Sequence, residues 1–137
     1  MIKQIAAGFV LWRVEKSTRL YLLLQHTAGH WSFAKGRTEP GESLEATARR
    51  ELVEETGILD VTIVAPLAEP TVYVINDYDG VAVEKTLYLF AACTSEKEVS
   101  LSQEHSAYGW FTYDVALDMA THEPTKQSIR EANQIGF

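Results

Sequence analysis

The hydrophobic positions of this chain gather into short, dense runs at Ala6–Val14, Leu20–Gln25, Val61–Ala65, Thr71–Ile75, Val81–Ala92 and Tyr108–Phe111. These runs are rich in valine, isoleucine, leucine and aromatic residues and are separated by turn residues, the pattern of β-strands. The tract NDYDGV adds an Asp79-Gly80 turn signal between two of them. Helical spacing replaces the strand pattern at Ser43–Thr56 and at Glu123–Gln134, with a weaker helical tract around Tyr113–Ala120. Strands interrupted by segregated helices predict an α+β domain or an α/β/α layered one. No repeat, low-complexity tract or linker divides residues 1–137, so a single domain is expected.

The first helical segment is the most informative. Pro40-Gly41 makes a turn before it, Ser43 is placed to cap it, Glu45 lies in the first turn where the helix dipole favours a carboxylate, and Gly57 ends it. From Gly36 to Ile58 the chain carries six glutamates and three arginines. At about 100° per residue, Glu51, Glu54 and Glu55 fall within one arc of roughly 100°. Glu55 lies between Leu44 and Ala48 on that wheel and close to Leu52, so the acids sit at the edge of a packed side. Ala46 and Val53 make a second apolar strip on the far side, which predicts a helix packed on two sides. Carboxylates gathered in this way repel one another and raise one another's pKa unless positive charge compensates. Arg49 and Arg50 can supply that charge, and so can divalent cations held by oxygen ligands; the helix alone does not decide between an ion-pair-rich surface and a metal site.

Composition narrows the picture. A chain of 137 residues, 46% of them hydrophobic, can bury a core without disulfide staples. The sole cysteine, Cys93, sits in the apolar stretch YLFAACT and is expected to be a reduced, packed thiol in a cytosol-like compartment. The amino-terminal run MIKQIAAGFVLWRV continues into a strand rather than a cleavage site, and no apolar stretch approaches the ~20 residues of a membrane-spanning helix. A soluble, cytoplasmic protein without membrane contact is expected. The formal net charge of −7 argues against stable nucleic-acid binding. An anionic small-molecule substrate is compatible with it only through a bridging cation or a locally basic patch.

The segment beginning at Gly36 has a definite spacing: Gly36, five residues, Glu42, seven residues, Arg50-Glu51, Leu52, one residue, Glu54-Glu55, one residue, Gly57 and Ile58. At every position this resembles the signature box of the Nudix hydrolases. The resemblance implies a curved, mixed β-sheet between helices in an α/β/α sandwich, and hydrolysis of a nucleoside diphosphate linked to another moiety. It also implies Mg²⁺ as cofactor, with Mn²⁺ able to substitute. By the same likeness, Glu54 and Glu55 match metal ligands, Glu51 a ligand or the base that activates water, and Gly36 the residue whose carbonyl joins the metal shell. Arg50 matches the residue that orients the carboxylates, and Glu42 the one that ties the loop to the helix. Glu39, Glu45 and Arg37 are expected to face solvent.

Outside the box, HWSFAKGRTEPGE and LSQEHSAYGWF resemble segments of the asymmetrical diadenosine tetraphosphate hydrolases, and YLLLQ, TVYV and EKTLYLF extend the likeness over most of the chain. Enzymes of that kind release a nucleoside triphosphate and a monophosphate from a dinucleoside tetraphosphate. The likeness makes Glu104 an additional loop glutamate for metal binding or general-base catalysis, Tyr73 a base-stacking ring, and Lys35 and Lys85 phosphate-binding ammonium groups. Tyr108 is expected on the pocket wall and Trp110 in the core, while His105 reads as a structural hydrogen-bonder and His30 and Trp31 as residues that shape a loop. Phe33 and Ala34 stand where the animal enzymes usually carry prolines, a difference that bears on purine fit. Two other functions remain open: a housecleaning hydrolase of nucleoside triphosphates that releases pyrophosphate, and a non-catalytic nucleotide-binding module. The latter is usually marked by loss of box glutamates, all of which are present. Either a monomer or a homodimer fits the sequence.

Overall fold

The long apolar run near the amino terminus becomes the axis of the molecule. In the computed structural model, which describes residues 1–76 and 79–136, strand β1 spans Ile2–Glu15, followed by β2 (Thr18–His26), β3 (Trp31–Ser32), β4 (Lys35–Arg37), α1 (Leu44–Thr56), β5 (Thr62–Pro66), β6 (Thr71–Asn76), β7 (Ala82–Cys93), β8 (His105–Phe111), α2 (Tyr113–Met119) and α3 (Glu123–Asn133). β1 pairs in parallel with β7 along eleven consecutive positions, from Ile2↔Val83 to Trp12↔Cys93. The other pairings are antiparallel, so the sheet is mixed: β2 pairs with β1, β3 and β8, β4 with β1, and β5 and β6 with opposite ends of β7. Asp77 and Tyr78 of the NDYDGV tract lie outside the described residues.

Both faces of the central strands are covered, which is why their sequences read as continuous apolar runs rather than as alternations. Side chains of successive residues point to opposite faces. Ala7, Phe9 and Leu11 of β1, with Leu22 and Leu24 of β2, pack with Ala48 and Leu52 of α1. Val10 and Trp12, with Tyr21 and Leu23, pack on the other side with Ala116 of α2 and Ile129 and Ala132 of α3. The result is helix, sheet, helix, the layered arrangement expected. Among the described residues no helix is long and apolar enough to cross a membrane.

Three expectations need correction. β1 and β8 start earlier than their densest apolar stretches, at Ile2 and His105. The short strands β3 and β4 have no strand-like composition, Lys-Gly-Arg in the second case, and owe their conformation to pairing with β2 and β1. Helix α1 packs on one side only: Ala46 is exposed and Val53 is 39% exposed, because α2 and α3 occupy the opposite face of the sheet. The capping of α1 follows the sequence. The Ser43 hydroxyl accepts from the Ala46 amide at 3.1 Å, and Gly57 takes the left-handed conformation (φ 78°) that a side chain disfavours.

Helix α3 is latched to β2 from its carboxyl end. The Arg19 guanidinium donates to the carbonyls of Ala132 (3.2 Å) and Ile135 (2.5 Å) while lying 4.0 Å over the Trp12 ring, and the Tyr21 hydroxyl donates to Asn133 Oδ1 at 2.7 Å. These bonds add side-chain donors to the carboxyl-terminal turn, where the Ala132 carbonyl also accepts from the Ile135 amide. They also fix α3 as one wall of the cavity described below.

Candidate active site

The last two turns of α1 carry the acids. Packing of Ala48 and Leu52 against the sheet turns Glu55 inward, where it is only 4% exposed. Burial pushes its carboxyl well above the usual carboxylate range, and neighbouring Glu51 reinforces the shift; Lys35 opposes it and Glu104 adds to it more weakly. Oε2 of Glu55 is buried without a hydrogen-bond partner among the described residues. An unpartnered buried carboxylate oxygen is costly, and a cation would satisfy it. Glu51 lies against Gly36 of β4: a side chain at Gly36 would occupy the space of the Glu51 carboxyl group. The glycine is needed here for close approach, not for an unusual backbone angle.

Arg50 organises the surrounding charges. Its Nε donates to Glu42 Oε2 at 2.6 Å and Nη2 to Glu42 Oε1 at 3.0 Å, a two-point clamp. Nη1 donates to Glu51 (3.0 Å) and Glu54 (3.3 Å), and Nη2 also to the Arg37 carbonyl at 2.9 Å. Glu42 additionally accepts from Thr47 Oγ1 and from the Glu39 amide, so the loop before α1 is tied to the helix. Arg50, with Glu39 amide and Thr47 contributing, depresses the Glu42 carboxyl to about 2. A depressed pKa stabilises the fold above the unfolded-state value near 4.5, and that stability is lost as pH falls toward about 2. Acid unfolding followed by circular dichroism should therefore show a steep loss in this window, and Glu42→Gln should flatten the dependence while lowering stability at neutral pH.

Glu54 stands apart from Glu51 and Glu55. Its side chain is 56% exposed and engaged by Arg50. Glu104 sits on the exposed loop before β8, where its carbonyl accepts from the Thr27 amide at 3.0 Å. That loop is bound to the end of α1 by Ser100 N to Thr56 O (2.8 Å) and Ser102 N to Glu55 O (3.3 Å), and Glu96 accepts from the amides of Leu59 and Asp60. Among the described residues no three His, Cys, Asp or Glu side chains already converge as a metal cage. The donor set nevertheless fits a hard divalent cation. It consists of the neighbouring Glu51 and Glu55 carboxylates, the latter with a buried orphan oxygen, and the Gly36 backbone beside Glu51.

Across the sheet edge from the acids lies a cavity of about 470 Å³, walled by His30, Lys35, Tyr73, Leu87, His122 and Thr125 among others. Phe33 also lines it and contributes a ring to this space. Lys35 belongs to both places: it lines the cavity and feels the Glu55 charge. Burial pulls its ammonium below the usual lysine range, Glu55 resists, and Lys85 adds to the lowering. Lys85 is paired with Tyr73 across β7 and β6, which places it beside the cavity ring. Tyr108 is not among the lining residues. Its register opposite Leu24 puts it on the α1 face of the sheet, the face of the acids, 39% exposed. Trp110 is half-buried on that same face and donates from Nε1 to the Lys97 carbonyl at 3.0 Å.

All four histidines of the chain fall in a line between cavity and acids. His122 is 6.0 Å from His30, His30 stacks on His26 at 4.7 Å, and His26 meets His105 edge-on at 5.8 Å. His105 is 8% exposed at its side chain, with Nε2 3.4 Å from Glu55 Oε1. Burial and the neighbouring imidazole of His26 push its pKa down. His26 and His122 were not singled out from the sequence; no local spacing relates positions so far apart, and only the pairing of β2 with β3 and β8 and the packing of α3 unite them.

Residues 2–132 match the NUDIX domain family, and the chain belongs to that family. It is a Nudix hydrolase. It is 33% identical over 138 residues to the asymmetrical bis(5'-nucleosyl)-tetraphosphatase of Rattus norvegicus, an alignment covering 94% of this chain and 92% of the rat protein. It is also 30% identical over 107 residues to the nucleoside triphosphatase NudI of Enterobacter sp. (strain 638), covering 75% and 76% of the two chains. In three dimensions it resembles the crystal structure of a C. elegans Ap4A hydrolase binary complex with a TM-score of 0.77, at 27% identity and 95% coverage of both chains.

Proposed function

We propose that this enzyme cleaves dinucleoside tetraphosphates asymmetrically, diadenosine tetraphosphate to ATP and AMP, with Mg²⁺ as cofactor and Mn²⁺ as a working substitute. The observation that carries this reading is Lys35, which joins an aromatic-walled cavity to the buried acids and so lets one extended anion occupy both. The reading is supported by the likeness to the rat tetraphosphatase over nearly the whole chain. The enzyme acts as one domain, monomeric or homodimeric, in the cytoplasm, without binding nucleic acid stably.

Glu51, Glu54, Glu55, Glu104 and the Gly36 carbonyl would hold the cation. When bound, it neutralises phosphate oxygens, polarises the attacked phosphorus and acidifies a water molecule. Tyr73 stacks on one adenine and anchors it in the cavity. Lys35 and Lys85 offset phosphate charge between anchor and acids, each as a flexible point charge. Glu51, aimed by Arg50, or Glu104 on its loop takes the proton from the attacking water, while Glu54 completes the carboxylate set. Because the anchor and the acids are fixed relative to one another, water enters at one phosphorus only, the fourth from the anchored adenosine.

Product analysis in ¹⁸O-labelled water tests this. ATP and AMP with label in one product alone are expected. Two molecules of ADP would overturn the assignment. The likeness to NudI keeps a second reading in view, hydrolysis of a nucleoside triphosphate to monophosphate and pyrophosphate. It prevails if a nucleoside triphosphate gives a much higher kcat/KM than any dinucleotide.

A further inference from the structure

We infer that His105 is a positioning residue that holds the Glu55 carboxylate by one oxygen so that the other is presented to the cation. The inference rests on Glu55 being a metal ligand, as proposed above. The ring is buried at the side of Glu55, with Nε2 3.4 Å from Oε1, while Oε2 is the oxygen left without a partner. One carboxylate oxygen is thus next to an imidazole and the other has no hydrogen-bond donor against it, with the Glu51 carboxyl group also beside Glu55, the arrangement a ligand needs when its orientation is set before the cation arrives.

The ring itself is fixed from three sides. Its backbone is paired with His26 at the end of the β2–β8 ladder, just beyond a register shift, and the His26 ring meets it edge-on at 5.8 Å. Nδ1 lies 3.4 Å from Ser102 Oγ. The same hydroxyl accepts from the Glu104 amide at 3.3 Å, which leaves its proton free to point at Nδ1. We assign the acceptor role to Nδ1 and the ring proton to Nε2, facing Glu55, the tautomer that ¹⁵N spectra read directly. Ser102 is in turn held by its amide to the Glu55 carbonyl at 3.3 Å. Serine, imidazole and carboxylate therefore form a closed unit joining the Glu104 loop to α1. Partners behind a ligating carboxylate typically contribute about 10–100-fold in metal affinity.

The test is Mn²⁺ binding to the intact protein, read by the electron paramagnetic resonance of free Mn²⁺, alongside ¹⁵N spectra of labelled histidine. His105→Leu, with unchanged circular dichroism, should weaken Mn²⁺ binding by about 10–100-fold. His105→Gln, whose amide can donate from near the Nε2 position, should recover most of it. Ser102→Ala keeps the ring but releases Nδ1; it should weaken binding severalfold and change the ¹⁵N shifts of one histidine from a single Nε2–H tautomer to a mixture. This variant decides the matter if His105→Leu does not fold. At saturating metal, KM for nucleotide should be unchanged in every folded variant. Unchanged Mn²⁺ affinity in His105→Leu, or in Ser102→Ala with the tautomer altered, overturns the inference while Glu55→Gln still weakens binding. If Glu55→Gln leaves Mn²⁺ affinity intact, the metal-site reading fails first and the inference with it.

Discussion

Glu55→Gln is expected to lower the hydrolysis rate by about 10²–10³-fold and, in the absence of metal, to raise the melting temperature. The two effects have one cause. Glu55 is buried beside Glu51, and its carboxyl is pushed up in the folded state. A group whose folded pKa is raised binds more protons folded than unfolded, so its contribution is full below the ordinary value near 4.5 and declines as pH rises toward the folded value. At neutral pH the metal-free protein therefore bears the cost of an ionised carboxylate with one buried oxygen unpartnered, or of the proton that neutralises it. Glutamine keeps the shape and removes that cost, a gain on the order of ~1 kcal/mol or a few degrees. On the proposed function the wild-type protein should be stabilised by millimolar Mg²⁺, because a cation held by these carboxylates would bind the folded arrangement only. Glu55→Gln should lose most of that response. Calorimetric scans of both proteins at pH 5 and pH 8, with and without Mg²⁺, check the signs. Lower stability of the metal-free variant at pH 8, or an undiminished Mg²⁺ response, would contradict the account.

What was legible in the sequence follows from what local patterns encode. The strands of the core were found because both faces are buried and most positions are apolar; Phe9, Val10 and Leu11 need no partner to be recognised as core. β3 and β4 were invisible because two or three residues carry no period, and their strand state is imposed by β1 and β2. The acids of α1 were legible because helical spacing is a local rule, and it correctly set Glu55 on the packed side. It also placed Ala46 and Val53 on an apolar strip, but periodicity does not say how many neighbours a helix has. The placement of Tyr108 has the same origin: alternation in β8 separates it from Gly109, yet which face of the sheet it takes is decided by the register with β2. The histidine line is a property of tertiary packing alone. Within the site, local reading therefore located the acids on α1, the family resemblance pointed to Lys35 and Gly36 on β4, and the relation between those groups and the cavity was left to the fold.

That relation can be probed with two glycines on paired strands. Gly8 and Gly36 both lie where the β1–β4 pair runs closest to other groups, but a Cβ meets different things at each. At Gly8 it would strike the Ala34 carbonyl oxygen and lie 2.7 Å from Lys35 Cβ. Backbone cannot step aside cheaply, so Gly8→Ala should destabilise the protein by about 1–3 kcal/mol, the usual cost of overpacking, and show as a lower melting temperature. At Gly36 the nearest atoms it would strike are those of the Glu51 carboxyl group. A glutamate carboxyl is the far end of a flexible chain, so Gly36→Ala should fold with nearly normal stability. Its effect should fall on chemistry instead. The added methyl displaces Glu51 from its place beside Glu55 and strains its bond to Arg50, so hydrolysis should fall by about 10²-fold and the Mg²⁺-dependent rise in melting temperature should shrink. The mutants thus separate stability from site geometry within one strand pair. Gly36→Ala with normal activity would show that the placement of Glu51 against β4 is not needed for the reaction, and the carboxylate site as described would have to be redrawn around Glu54, Glu55 and Glu104.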